Sequence, residues 1–375
     1  MQRRSDTADA RARFMRRALT LARRGEGRTS PNPLVGAVVA RKGQIVAEGW
    51  HRRLGAEHAE VMALRRAGRR ARDATLYVTL APCNHAGLTP PCTDAVIASG
   101  IARVVIGMND PNPRVRGGGA RKLRAAGIEV IPGVLGPECR LLNAPFVKHA
   151  ETGLPLVTLK MAMSLDGKVT SGPGRREILS GPEAARFVHG LRHAADAILV
   201  GVGTVLVDDP LLTTRRAGAR GKDPLRVVLD SRLRTPPGAR LLHSGSPAGT
   251  VIVTMRGAPR AREKRLRKAG ADVWRLPARG KGVSLRRTLR ALGDRNIQSL
   301  LIEGGPSVAS SVLAEKVADR LILLIAPRFI GGDETPGLLA RALEKRLALE
   351  GLRLGRLGED ILLQAELGTG RRREV

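Results

Sequence analysis

Residues 77–100 read YVTLAPCNHAGLTPPCTDAVIASG. The apolar run at 77–80 predicts a strand that ends at Pro82, and the run at 93–98, closing on Gly100, predicts a helix. Between them lie two of the chain's three cysteines, Cys83 and Cys92, each directly after a proline. Upstream, 33–51 has two apolar stretches around Arg41-Lys42-Gly43 and predicts a β-hairpin. Residues 58–68 carry Val61, Met62 and Leu64 at helical spacing, with Gly68 as the stop. Downstream, 102–108 predicts a strand, 118–127 a helix and 128–134 a strand, while Phe14, Ala18, Leu19 and Ala22 share one side of a first helix. Such alternation predicts an α/β domain whose helices cross over between strands of one sheet.

The segment 141–155, with Gly153 and Pro155, reads as a linker, giving a first domain at 1–150 and a second at 151–375. The second alternates again. Strands are expected at 156–164, 197–203, 225–230, 249–254, 271–276, 299–305, 320–327 and 360–367, with helices at 181–195, 284–293 and 306–315. No repeat links the halves.

The chain of 375 residues is 42% hydrophobic, enough for two buried cores. No apolar run reaches the roughly 18 residues of a membrane span. The arginine-bearing start lacks the apolar core of a signal peptide, and Asp6 and Asp9 argue against a mitochondrial presequence. The expected location is the cytoplasm, with no membrane partner. The formal net charge of +31 invites nucleic acid, but the arginines are scattered and aromatic content is 2%. A solvated basic surface that attracts phosphorylated small molecules is the simpler reading, and a homo-oligomer is left open.

Three cysteines are too few for a disulfide framework, which leaves a metal or a reactive thiol. A histidine with distant cysteines is ordinarily a core imidazole and two buried thiols. Here His58-Ala59-Glu60 opens a helix, a strand intervenes, and Cys83 and Cys92 follow that strand, so the three can meet at one end of a sheet. One imidazole and two thiolates form a zinc ligand set with an open fourth position, and Glu60 beside it can move a proton. His-x-Glu with Pro-Cys and a second Cys is the signature of zinc-dependent nucleobase deaminases, although eight residues separate Cys83 from Cys92 here rather than two. Cys139, without such neighbours, reads as packing.

Those motifs, with PNPLVGAVV, TPPCTDAVIASG and DPNPRVRGGG, resemble the deaminase domain of the bifunctional riboflavin-biosynthesis deaminase/reductase family. The resemblance implies a cytidine-deaminase-like fold, zinc on His58, Cys83 and Cys92, and Glu60 as proton shuttle. It also implies a phosphorylated pyrimidine substrate held by Asn32, His85, Asp110 and Asn112. KMAMSLDGKVT, GVGTVLVDDPLLTTR, VVLDS and IEGGPSVASSVL resemble the reductase domain of the same family, which has a dihydrofolate-reductase-like fold and uses NADPH. Carried over by motif, Ala162, Thr204, Asp208, Ser231 and the run Gly305, Pro306, Ser307, Val308, Ala309, Ser310 and Ser311 would contact NADPH. Asp166, Lys168, Arg192, Leu212, Arg215 and Glu303 would hold the reductase substrate.

The chain departs from the family pattern in places. Ala81 stands for the usual Glu, Asn84 for Ser, Leu88 for a Lys or Arg, and Arg175 and Glu177 occupy the Ser and Trp positions of Ser-x-Trp-Ile-Thr. A leucine cannot contact a phosphate, so another arginine must do so or the substrate differs. The expected function is deamination of the phosphoribosylaminopyrimidine and then reduction of its ribosyl group. The alternatives are a paralogue acting on a related heterocycle and a tRNA-type deaminase.

Overall fold

The computed structural model describes residues 7–85, 90–112, 118–216, 221–280, 282–332, 335–344 and 346–368. The chain divides into two units, Met1–Gly153 and Leu154–Val375.

In the first unit, α1 (Ala8–Ala22) starts at Thr7, whose hydroxyl accepts the Ala10 N–H at 3.2 Å. Phe14, Met15, Ala18, Leu19, Leu21 and Ala22 form its buried side. Strands β1 (Gly36–Arg41) and β2 (Gln44–Trp50) form the hairpin, and both turn residues, Lys42 and Gly43, have positive φ, as the tight two-residue turn requires. Then follow α2 (Ala59–Ala67), β3 (Thr75–Leu80), α3 (Cys92–Ala98), β4 (Arg103–Met108), α4 (Gly118–Ala125), β5 (Glu129–Ile131), α5 (Gly136–Leu142) and α6 (Ala144–Thr152). The sheet order is β2-β1-β3-β4-β5, antiparallel across β1 and parallel from β3 to β5. Strands β3 and β4 are almost wholly buried, as parallel strands covered on both faces must be.

Two glycines let helices lie directly on this sheet. A Cβ on Gly36 would stand 1.9 Å from the Ala18 carbonyl oxygen, and one on Gly49 would stand 2.2 Å from that of Ala59. The segment expected as a linker is instead mostly helix: Pro145 sits in the first turn of α6, where a proline starts a helix rather than breaks it, and only 153–155 link the units. Buried Asn143 ties the segment back to the chain entering β1, accepting the Leu34 N–H at 2.8 Å and donating to the Leu34 carbonyl at 3.0 Å.

The second unit runs β6 (Leu156–Ser164), α7 (Pro182–Ala194), β7 (Ala197–Gly201), α8 (Val202–Asp208), β8 (Leu225–Leu229), β9 (Thr250–Met255), α9 (Arg260–Lys268) and β10 (Asp272–Leu276). A small hairpin, β11 (Ala278–Arg279) and β12 (Gly282–Val283), precedes α10 (Leu285–Gly293), β13 (Ser299–Ile302), α11 (Pro306–Ala314), β14 (Arg320–Ala326), β15 (Leu349–Leu357) and β16 (Asp360–Leu367). One nine-stranded sheet has the order β10-β9-β8-β7-β13-β6-β14-β16-β15, with all strands parallel except β16, which runs antiparallel to its neighbours β14 and β15. The chain leaves β7 toward β8 and leaves β13 toward β14, so the adjacent strands β7 and β13 diverge at their carboxyl ends. That divergence opens the crevice in which sheets of this kind bind ligands.

Residues 197–203 were expected as one strand, but the strand stops at Gly201 and α8 begins at once. Helix α9 carries only Leu266 into the core as a large apolar side chain, and its Glu263 is clasped by Arg267 and Arg275. Strand β15 lies at the sheet edge, exposed along almost its whole length, and so lacks the alternation that signals a strand.

Gly36→Ala is expected to lower stability by about 1–3 kcal/mol, because the displaced contact is backbone and cannot rotate away. A lower thermal midpoint for the first unit's transition in the full chain would show it; an unchanged midpoint would mean that α1 does not rest on β1 as described.

Candidate active sites

Three elements bring the first site together. His58 is the N-cap residue of α2, Cys92 is the first residue of α3, and Cys83 sits just beyond β3. The His58 Nδ1 lies 3.0 Å from the Cys92 Sγ and 3.7 Å from the Cys83 Sγ, and all three ligand atoms fall within 4.8 Å of one another. The Cys92 backbone N–H donates to the Cys83 sulfur at 3.4 Å, and the Thr93 N–H donates to the Cys83 carbonyl at 3.2 Å. Behind the loop, Gly119 of α4 abuts Pro82, where a Cβ would stand 1.9 Å from the carbonyl oxygen. Asn84, which departs from the family pattern, accepts the Thr93 hydroxyl at 3.1 Å and so ties the loop to α3.

The donor chemistry fits zinc. With Zn–N near 2.0–2.1 Å and Zn–S near 2.3 Å, neighbouring corners of a tetrahedron stand about 3.6 Å apart, close to the imidazole–sulfur spacings seen. Without a cation the two sulfurs cannot both ionise. The hydrogen bond from Cys92 pushes the Cys83 thiol down to about 4, and that same bond, together with burial, drives Cys92 upward. A dication would relieve this asymmetry by accepting both thiolates. Glu60, 4% exposed, is pushed up to about 7 chiefly by burial.

Of the expected substrate residues, Asn32 reaches this site through His51, which the sequence reading missed. The His51 Nδ1 lies 3.2 Å from the Glu57 carbonyl, which makes it the donor there and leaves Nε2 to accept the Asn32 amide at 3.2 Å. Its ring stands edge-on to His58, with centroids 5.4 Å apart. The Asp110 carboxylate accepts the Asn112 N–H at 2.9 Å; burial raises its pKa, and the nearby His85 opposes that rise. No motif marks His51, which is a lone histidine at the end of β2. Leu88 lies outside the described residues.

In the second unit, Thr204 of α8 and the amino end of α11 meet across the β7/β13 crevice. A Cβ on Gly305 would lie 4.0 Å from the Thr204 Oγ1, and Cβ atoms on Gly201 and Gly304 would strike Val308 at 2.8 and 2.6 Å. These glycines therefore bring backbone close to the crevice, with Gly305, Pro306 and Ser307 at the helix entrance. Ala309 is buried in the core, and the Ser310 hydroxyl accepts the Ala340 N–H at 2.9 Å, so those two side chains serve packing. Ala162 lies on β6 opposite Leu324, and Asp208 ends α8.

Glu303, just beyond β13, takes a two-pronged ion pair from Arg192 at 2.8 and 3.0 Å, with the Lys160 ammonium 3.9 Å away. Lys160, missed because it alternates within an apolar strand, has its pKa lowered mainly by burial. Arg215 lies beside His189, its Nε 3.2 Å from the His189 Nε2. An open basin of about 700 Å³ is lined by Arg215, Arg216, Lys222, Ser244 and Ser246. Leu212 is a core side chain at φ 54°, so only its backbone is offered to a ligand. Both Asp166 oxygens accept backbone N–H groups of 330–331, the nearest from Gly331 at 2.7 Å, and Lys168 reaches the Thr335 carbonyl at 3.4 Å. Arg175 and Glu177 lie on an exposed loop that folds on itself, with the Ser171 N–H donating to Glu177 at 3.3 Å.

A three-donor zinc centre on a deaminase-type sheet, joined to a second α/β unit with a cofactor crevice, defines a bifunctional deaminase and reductase. Residues 8–108 match the cytidine and deoxycytidylate deaminase zinc-binding region, and residues 155–363 match the RibD C-terminal domain. The riboflavin biosynthesis protein RibD of Aquifex aeolicus is 43% identical over 93% of this chain and 96% of its own, and that of Escherichia coli is 40% identical over 85% and 88%. The solved RibD of Acinetobacter baumannii superposes with a TM-score of 0.88 at 34% identity, covering 96% of this chain and 99% of its own. The Thermotoga maritima diaminohydroxyphosphoribosylaminopyrimidine deaminase/5-amino-6-(5-phosphoribosylamino)uracil reductase gives 0.82 at 35%, with the same coverage. The chain belongs to the RibD family of riboflavin biosynthesis proteins. It is a zinc-dependent deaminase and a nicotinamide-dependent reductase, with the cytidine-deaminase-like and dihydrofolate-reductase-like folds expected.

Protein purified without chelator is expected to carry one zinc per chain. Cys92→Ser should lose it and Glu60→Gln should retain it, as elemental analysis would show. Full zinc in the Cys92→Ser protein would place the metal elsewhere.

Proposed function

We propose that the unit assigned to residues 1–150 deaminates 2,5-diamino-6-(5-phosphoribosylamino)pyrimidin-4(3H)-one, and that residues 151–375 reduce the product's ribosyl group to ribityl with NADPH. The observation that carries the deaminase half is buried Glu60, two residues beyond His58 and hydrogen-bonded to the Cys92 thiol. Zinc, when bound by His58, Cys83 and Cys92, supplies Lewis acidity that activates water. Glu60, held near neutral by burial, takes a proton from the attacking water and delivers it to the departing amine. Asn32, oriented by His51, with His85, Asp110 and Asn112, holds the heterocycle.

In the reductase, Thr204, Asp208, Ser231 and the α11 entrance, with Ala162 on β6, seat NADPH, which supplies a hydride when bound. Glu303 fixes Arg192 and Lys160 beside the substrate, and Arg215 with its basin offers cations to the substrate phosphate. The same chemistry covers the phosphate contact that Leu88 cannot make in the deaminase only if a separate arginine serves that unit. Asp166 supports the pocket by holding the 330–331 backbone, and Lys168 and the Leu212 backbone border it. Among the described residues no helix is long and apolar enough to cross a membrane, and all three cysteines are free thiols, which suits the reducing cytoplasm.

Glu60→Gln is expected to cut deamination by about 10²–10⁴-fold, the usual worth of a positioned acid–base group, while keeping zinc. Wild-type turnover would assign the proton to another group. Cys83→Ser should abolish deamination yet leave NADPH oxidation when deaminated substrate is supplied. Loss of both activities in folded protein would show that the two sites are not independent.

A further inference from the structure

Arginines that stand far apart in the sequence meet at the β2 edge of the first sheet. The Arg24, Arg52 and Arg66 guanidiniums lie 5.0, 5.1 and 5.5 Å from the centroid of the Trp50 ring. Arg24 comes from the turn after α1, Arg66 from the last turn of α2 and Arg52 from the segment leaving β2, so three elements supply them. Trp50 itself is half-buried at the end of β2, the outermost strand. The carboxylate beside them, Glu48, is already taken by a fourth arginine, Arg17, in a two-pronged pair at 2.6 and 2.8 Å. Arg66 donates to the Glu48 carbonyl at 2.8 Å, while among the described residues Arg24 and Arg52 make no hydrogen bond or close ion pair through their side chains. All three guanidiniums are on exposed residues.

Contact with an indole steadies a guanidinium that would otherwise be flexible and leaves N–H groups free for an acceptor. Three cations gathered on one ring also repel one another, and an anion among them relieves that repulsion. Phosphate matches the fork of an arginine and has oxygens enough to bridge two. Arg23 and Arg53, the exposed chain neighbours of Arg24 and Arg52, widen the positive surface, and a net charge of +31 attracts polyanions from a distance. We propose that Arg24, Arg52 and Arg66, held on Trp50, dock the phosphate backbone of single-stranded nucleic acid. A flexible strand can fold successive phosphates onto one compact cluster, whereas a stiff duplex presents them along a line. The contacts reach phosphates rather than bases, so RNA and DNA strands bind alike and without sequence preference. The site is independent of the deamination and reduction proposed above.

The test is fluorescence anisotropy of labelled RNA and DNA strands of about 20 nucleotides, and of the matching duplex, titrated with the full zinc-loaded chain at several salt concentrations. The double variant Arg24→Ala, Arg66→Ala should bind the strands at least about tenfold more weakly. Its slope of log affinity against log salt should fall by about 1.4, the worth of two single-strand phosphate contacts. The double variant Arg265→Ala, Lys268→Ala removes the same charge from the exposed side of α9 in the other unit, and should stay within about twofold of wild type. Trp50→Leu should weaken binding too, because the guanidiniums lose their support. Zinc content and thermal midpoint report whether each variant is folded. Equal losses from the two double variants would assign binding to overall charge and overturn the proposal, as would wild type that binds no strand at low salt. Tighter binding of the duplex than of either strand would overturn the single-strand assignment.

Discussion

Two thiols and an imidazole held within 4.8 Å of one another are the constraint around which the first unit is organised. Such a cluster is electrostatically unsettled, because ionising either sulfur opposes ionising the other, and it becomes coherent only around a cation. Holding it requires three separate backbone elements to end at one place. Helix α2 begins there, α3 begins there and β3 ends there, and Gly119 lets α4 press against Pro82 just before Cys83. The same burial that surrounds the sulfurs keeps Glu60 close to neutral, so the geometry that holds metal also prepares the proton carrier.

The second unit solves a related problem with different means. A buried carboxylate, Glu303, is held charged by Arg192 and Lys160, and breaking any part of this triad would leave an uncompensated charge in the interior. It stands where β13 ends, next to the crevice formed by the opposite departures of β7 and β13. Glycines at 201, 304 and 305 keep that crevice free of side chains where backbone must approach a cofactor. Binding and charge management thus share one edge of the sheet, as parallel sheets dictate.

Secondary structure was legible where burial is one-sided or complete. The hairpin at 36–50, the helix opening at His58 and the strand–loop–helix around the two cysteines carry their signals locally. The helix at 144–152 was read as part of a linker because Gly153 and Pro155 look like breaks, and the contact of Asn143 with Leu34, 109 residues away, shows why the segment packs. Strand β15 was missed because an exposed edge has no reason to alternate. Helix α9 was missed because ion pairs on Glu263, rather than an apolar stripe, hold most of it.

By itself the sequence determined the ligand types, their order and the elements that carry them, since His-x-Glu at a helix start and Pro-Cys after a strand are local statements about backbone and donor atoms. Tertiary structure alone decided the rest. It brought His51 to Asn32, joined Lys160 to Glu303 across neighbouring strands, and turned Asp230 inward onto Thr235. These are pairings between residues distant in the chain or choices of direction at a strand end, and their energies depend on burial and on charged neighbours. No local pattern encodes either.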